Sequence, residues 1–122
     1  MKRLVLAVDD SRTMRAMVQS ALQGAGFEVV LAEDGVDGLK KLDDMERVDA
    51  IVTDVNMPNM DGITFTRAVR QDARFPGVPI LILTTESSAE RRQQGRSAGA
   101  TGWIVKPFDP PALVAALKRV TL

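Results

Sequence analysis

Neither cysteine nor histidine occurs among the 122 residues of this chain. The first absence removes disulfides, thiolate catalysis and cysteine-ligated zinc. The second removes the usual general base, the usual zinc ligand and any Ser-His-Asp mechanism. An excess of one charge is also missing: sixteen basic residues stand against sixteen acidic ones. A neutral chain offers no electrostatic footprint for nucleic acid or for an anionic membrane. No apolar run approaches the roughly 20 residues that span a bilayer. Met1-Lys2-Arg3 leads into a short strand pattern with no small-residue cleavage site, so the start does not read as a signal peptide. A cytoplasmic location is therefore expected. The length is near the commonest domain size and suffices for a core without staples. With no repeat, linker or low-complexity stretch, residues 1–122 are expected to form one domain, and no output domain follows the last helical pattern.

What is present alternates. Leu4 to Val8 is a continuous apolar run, the signature of a strand covered on both faces. Ser11 can cap a helix whose Met14, Met17, Val18, Ala21 and Leu22 recur at three- and four-residue spacing, and Gly24 and Gly26 end it. Phe27 to Ala32 reads as a second strand. Val36, Leu39 and Leu42 suggest a short helix, and Val48 to Thr53 a third strand. Met57-Pro58-Asn59 breaks structure. Asp61 caps a helix through Ile63, Phe65, Ala68 and Val69. After the Pro76-Gly77 turn, Pro79 to Leu83 is the fourth strand. Ser87, with Glu90 three residues on, predicts a capping box for an unusually polar helix over Ala89 to Ala98, stopped by Gly99. Trp103-Ile104-Val105 is a fifth strand. Pro110-Pro111 opens a last helix containing Leu113, Val114, Leu117 and Val120. Five strands alternating with five helices predict a doubly wound α/β fold with a parallel sheet and right-handed crossovers.

In such sheets, sites form beyond the carboxyl ends of the strands. Asp9 and Asp10 follow the first strand, and Asp54 follows the third, with Asn56 two residues on. The fourth ends in Thr84, Thr85 and Glu86, and the fifth in Lys106-Pro107. The second ends in Glu33-Asp34, off to one side. Taken singly these are ordinary residues: helix caps, a turn aspartate, strand-end hydroxyls, a solvated lysine. Together they fall on one rim. Three carboxylates brought that close repel by roughly 4 kcal/mol per pair at 4 Å and an effective dielectric near 20. A divalent cation would remove that cost, and all-oxygen ligands with room for water suit Mg²⁺. A lysine, a hydroxyl and a metal around a carboxylate make a pocket for a phosphoryl group, whose transfer needs little more than in-line geometry and charge neutralisation. Carboxylates are known covalent acceptors of such groups.

With Asp9-Asp10, the segment Asp-Val-Asn-Met-Pro-Asn-Met-Asp-Gly opening at Asp54, Thr84 and Lys106-Pro107 in place, the chain resembles a response-regulator receiver domain of the stand-alone chemotaxis type. The resemblance covers essentially the whole chain and implies a five-stranded sheet in the order 2-1-3-4-5. It implies that Asp54 accepts a phosphoryl group from the phosphohistidine of a histidine kinase. Asp10 and Asp54 would hold Mg²⁺ by side chains, Asn56 by its backbone carbonyl and Asp9 mainly through metal-bound water. Lys106 would pair with Asp54 before phosphorylation and with the phosphoryl group after it. Thr84 would move to the phosphoryl oxygen, with Thr85 beside it in the phosphoryl-binding set. Asn56 and Glu86 would tune the phosphoryl lifetime, and the Lys106-Pro107 bond would be cis. Pro58 and Gly62 match the family's loop after the acceptor, and Ser11 to Arg15 matches the start of its first helix. The implied output is a protein-binding surface on the fourth helix, fifth strand and fifth helix, read by a flagellar motor switch or another motility component, with a phosphatase as a further partner.

Trp103 departs from the pattern. The family carries an aromatic there, often Tyr or Phe, that swings inward as the Thr moves. The bulkier indole either rotates incompletely or already favours one rotamer. Arg91, Arg92 and Arg96 make the fourth helix basic, as a solvated face or as part of the partner surface. Other functions use overlapping chemistry. A phosphate sink or shuttle needs the same site and no output partner, and the chain could be the receiver fragment of a larger regulator. A haloacid-dehalogenase-type phosphatase needs a second aspartate where Asn56 stands, and no G-x-x-x-x-G-K-[ST] loop is present for a nucleotidase.

Overall fold

The computed structural model describes residues 2–121. Ten elements alternate: β1 (Leu4–Val8), α1 (Arg12–Gly24), β2 (Glu28–Ala32), α2 (Gly35–Asp43), β3 (Ala50–Thr53), α3 (Gly62–Gln71), β4 (Ile80–Thr84), α4 (Ala89–Ala98), β5 (Gly102–Val105) and α5 (Pro110–Val120). The strands form one sheet in the order β2-β1-β3-β4-β5, every pairing parallel. This is the five-stranded receiver-like arrangement expected from the sequence. Several strands begin one or two residues later than their apolar runs, and β4 extends through Thr84.

The continuous apolar strands are explained by the two layers they separate. Val5, Ala7, Val52, Leu81 and Leu83 pack with Val18 and Leu22 of α1 and Leu113 and Leu117 of α5. The alternate residues Leu6, Val8, Ile51 and Ile80 pack with Leu42 of α2 and Phe65 and Val69 of α3. Successive side chains of a strand point to opposite faces, so a strand covered on both sides has no polar position to spare. Leu22, Leu42, Phe65 and Leu117 are completely buried. Truncating such a leucine to alanine typically costs about 2–5 kcal/mol.

The caps follow elementary rules with one correction. Ser11, Asp34 and Asp61 accept the backbone N–H groups of Met14, Asp37 and Thr64. In α4 the cap is Ser88, whose Oγ accepts from Arg91 N at 3.2 Å, and not Ser87. The helix begins at Ala89, so the residue with extended backbone just before it must supply the cap, and Glu90 is one position too early to close a box. The carboxylate of Glu86 accepts the Ser88 N–H instead.

Candidate functional site

The site is assembled by the sheet ladder itself. Asp9, Asp54 and Lys106 each lie one residue beyond a strand, and each still donates its backbone N–H to a neighbouring strand. Asp9 N reaches Ala32 O at 3.1 Å, Asp54 N reaches Val8 O at 3.0 Å and Lys106 N reaches Thr84 O at 2.7 Å. Side chains at these positions are therefore fixed by strand register and not by loop conformation. The Lys106-Pro107 bond is cis.

The three side chains meet. Lys106 Nζ donates to Asp9 Oδ2 at 2.8 Å and to Asp54 Oδ2 at 3.0 Å. The other oxygen of Asp9 accepts Ser11 N at 2.9 Å, and that of Asp54 accepts Val55 N at 2.6 Å. All three side chains are about nine-tenths buried. Burial alone pulls the Lys106 ammonium down, but its hydrogen bonds to Asp9 and then Asp54 outweigh that and hold it above its ordinary value. Asp10 is exposed at the mouth, and carboxylate oxygens of Asp9, Asp10 and Asp54 lie within 4.8 Å of one another. Three carboxylates against one ammonium leave two negative charges on an all-oxygen cluster. That donor set and charge fit a small hard divalent cation such as Mg²⁺.

The remaining predicted residues surround this centre. Thr84 is fully buried at the end of β4, and its Oγ1 accepts Glu86 N at 3.2 Å. Thr85 and Asn56 are exposed, and Glu86 is half-buried. Hydrogen bonds from Ser88, first its backbone N–H, hold the Glu86 carboxyl below the usual range. Trp103 is half-buried on β5, and its Nε1 donates to the Glu86 carbonyl at 3.0 Å.

Some contributors were not visible in the sequence. Lys106 pairs with Asp9 as well as with Asp54, so Asp9 has a direct electrostatic partner besides any water-mediated role. Arg15 donates to the Asp9 carbonyl at 2.6 Å. Its position one turn into α1 is the signal that could have found it. A Cβ on Gly62 would lie 1.8 Å from the Asp54 carbonyl oxygen, so only glycine lets α3 start against the end of β3. Asp34, lateral to this centre, accepts a hydrogen bond from Asn59 Nδ2 at 2.8 Å. It thereby ties the loop after Asp54 to the start of α2, with Asn59 at a φ of 66°.

A parallel sheet in this order, carrying carboxylates beyond β1 and β3 and a lysine beyond β5, defines a class of signalling module. A family model described as the response regulator receiver domain matches residues 5–118, and the chain belongs to that family. Its relatives specify the kind. It is 41% identical over 117 residues to "Chemotaxis protein CheY1" of Helicobacter pylori, covering 95% of this chain and 94% of that protein. The solved chemotaxis response regulator CheY4 of Vibrio cholerae superposes with a TM-score of 0.91 at 49% identity, covering 98% of this chain and 99% of that one. A 36% identical stretch also forms 15% of the sensor histidine kinase CheAY of Helicobacter pylori, where it again covers 95% of this chain. This chain is thus a chemotaxis-type receiver of the two-component response regulators. No helix among the described residues is long and apolar enough to cross a membrane.

Proposed function

We propose that this receiver takes a phosphoryl group onto Asp54 from a phosphohistidine of a histidine kinase, and that the aspartyl phosphate switches a protein-binding face formed by α4, β5 and α5. The observation that carries the reading is the Asp54 carboxylate, nine-tenths buried, hydrogen-bonded to Lys106 and set within 4.8 Å of two further carboxylates. Val55 N and Lys106 each occupy one of its oxygens, which fixes the carboxylate plane and leaves a lone pair on each oxygen for attack.

Asp10 and Asp54 are the side chains that would hold Mg²⁺, with the Asn56 carbonyl and a water bound by Asp9 completing the set. The ion supplies charge neutralisation for the phosphoryl oxygens. Lys106 stays at the site throughout: its ammonium bridges Asp9 and Asp54 before transfer and turns to the phosphoryl oxygens after it. The Thr84 hydroxyl accepts Glu86 N and donates to no partner among the described residues, so its proton is available to a phosphoryl oxygen. That movement would pull on the segment Thr84–Glu86. Asn56 and Glu86 tune the lifetime of the phosphoryl group, and Thr85 stands with Thr84 in the phosphoryl-binding set. The protein works as a cytoplasmic receiver whose chemistry is its own phosphorylation and dephosphorylation. The names of its relatives speak of chemotaxis, which supports a motility output; the partners proposed for it are a flagellar motor switch and a phosphatase that resets the receiver.

The test is labelling by acetyl phosphate with Mg²⁺, read by intact mass. The wild type should gain one phosphoryl group and Asp54→Asn none, with its fold retained by circular dichroism. Stoichiometric labelling of the variant at another residue would overturn the assignment.

A further inference from the structure

Mid-helix in α4, where glycine is among the poorest helix formers, Gly95 is buried and in helical conformation, so no turn requires it. What requires it is Trp103. A Cβ at Gly95 would stand 2.7 Å from Trp103 Cζ3 and 3.1 Å from Cε3, inside the edge of the indole ring. The far side of the same ring is also held, because Nε1 donates to the Glu86 carbonyl. Glu86 in turn donates its N–H to the Thr84 hydroxyl and accepts the N–H of Ser88, the cap of α4. One rigid side chain thus spans from the loop after β4 to the middle of α4. A groove of about 240 Å³ is lined by Arg92, Arg96, Ala100, Gly102 and Trp103.

We propose that Gly95 is a positioning residue: it forms a seat that fixes Trp103 in one rotamer, so that Trp103 acts as a strut and not as a swinging ring. Movement at Thr84 then reaches the partner face as a displacement of α4. The groove between Arg92, Arg96 and β5 stays open in both states. Of the two alternatives that the bulk of the indole raises, this is the single favoured rotamer. The signalling part of the inference rests on the function proposed above; the seat itself does not.

The two parts are separable by experiment. Gly→Ala in a helix interior ordinarily stabilises. Here Gly95→Ala should lower Tm and increase acrylamide quenching of the protein's single tryptophan. In a Trp103→Val background, where no ring reaches α4, the same substitution should raise Tm. That reversal of sign is a coupling that helix propensity alone cannot produce. A Tm raised by Gly95→Ala in both backgrounds would overturn the seat. For the strut, 5-fluorotryptophan-labelled protein should show one ¹⁹F line that stays single as beryllofluoride and Mg²⁺ are added. Hydrogen exchange in α4 should meanwhile change in the wild type and not in Gly95→Ala, whose acetyl phosphate labelling is retained. Two exchanging ring populations, or an α4 response that survives in Gly95→Ala, would overturn the strut. A wild type that shows no beryllofluoride response anywhere would instead sink the receiver function, and the Tm reversal would still judge the seat.

Discussion

At the β1–β3 rim, Val5 to Val8 and Ala50 to Thr53 are all buried, whereas β5 is half-buried along its whole length and α4 buries only Gly95 and Ala98. The contrast extends to charge. The rim compensates buried carboxylates with one buried lysine, while α4 carries two of its three arginines, Arg92 and Arg96, in solvent. Phosphoryl transfer depends on atoms held to a fraction of an ångström, which close packing supplies. A readout depends on an element that moves at low cost, and such elements have few buried apolar contacts. On the function proposed, the closely packed half of the sheet would do the chemistry and the sparsely packed half would report it, with Glu86 and Trp103 at the join.

The largest effect should come from removing the lysine buried at the rim. Lys106→Met leaves Asp9 and Asp54 buried without compensation, a change that typically costs about 3–5 kcal/mol. Urea unfolding without Mg²⁺ should show it. The gap from wild type should also depend on alkaline pH. The folded-state value of Lys106 lies above the ordinary 10.5, so its stabilisation is complete below that pH and is lost as pH rises through the folded value. The gap should therefore narrow above pH 10.5. An unchanged gap there would mean that the ammonium is not what stabilises the rim.

Next in size is the cation itself. Saturating Mg²⁺ at about a hundred times its Kd should stabilise the fold by roughly 2.7 kcal/mol. By the comparison above, the added hydrogen-exchange protection should be largest at Asp9–Ser11 and Asp54–Val55. Asp10→Asn should reduce the Tm shift, and Lys106→Met should enlarge it, since the metal then has more charge to neutralise. An unchanged Tm in millimolar Mg²⁺ would count against the acidic cluster as a metal site.

How far these two halves could be read in advance differs for physical reasons. The sheet was legible because continuous apolar runs admit few alternatives, and parallel order then sends every strand's carboxyl end to one edge. The placement of Asp9, Asp10, Asp54, Thr84 and Lys106 on that edge follows from this, whereas the strand order and the roles of these residues were implied only by the family resemblance. Contacts made across space were not legible. Nothing in the spacing says that Lys106 reaches Asp9, that Asp34 holds Asn59, or that Gly62 and Gly95 are glycines because another residue occupies the place of a Cβ. Ser87 and Ser88 are chemically identical neighbours, and only the phase of the helix that follows chooses between them.

That choice supplies the third effect. Ser88→Ala should cost about 1 kcal/mol, as loss of a helix cap does, and Ser87→Ala close to nothing. Equal losses would place the start of α4 one residue earlier. Because the cap sits beside Glu86, Ser88→Ala should also raise hydrogen exchange in the first turn of α4 while leaving acetyl phosphate labelling of Asp54 at the wild-type level.

The smallest effect sharpens the comparison most. Arg92 and Arg96 are exposed and no salt bridge involves them among the described residues. Replacing both with alanine should change stability by less than about 0.5 kcal/mol, the usual range for surface sites. Labelling at Asp54 and the Mg²⁺ shift should be untouched, because neither residue belongs to the rim. A clear loss of stability would show that α4 is held by its arginines, and the soft half would then be stiffer than its sparse packing implies. A loss of labelling would be more damaging, since it would carry information from the face back to the rim in the absence of a partner. Coupling between two sites is reciprocal in free energy. A face that is loose when unliganded should nonetheless influence the rim once a partner is bound, and the double variant should lose that influence while keeping the chemistry.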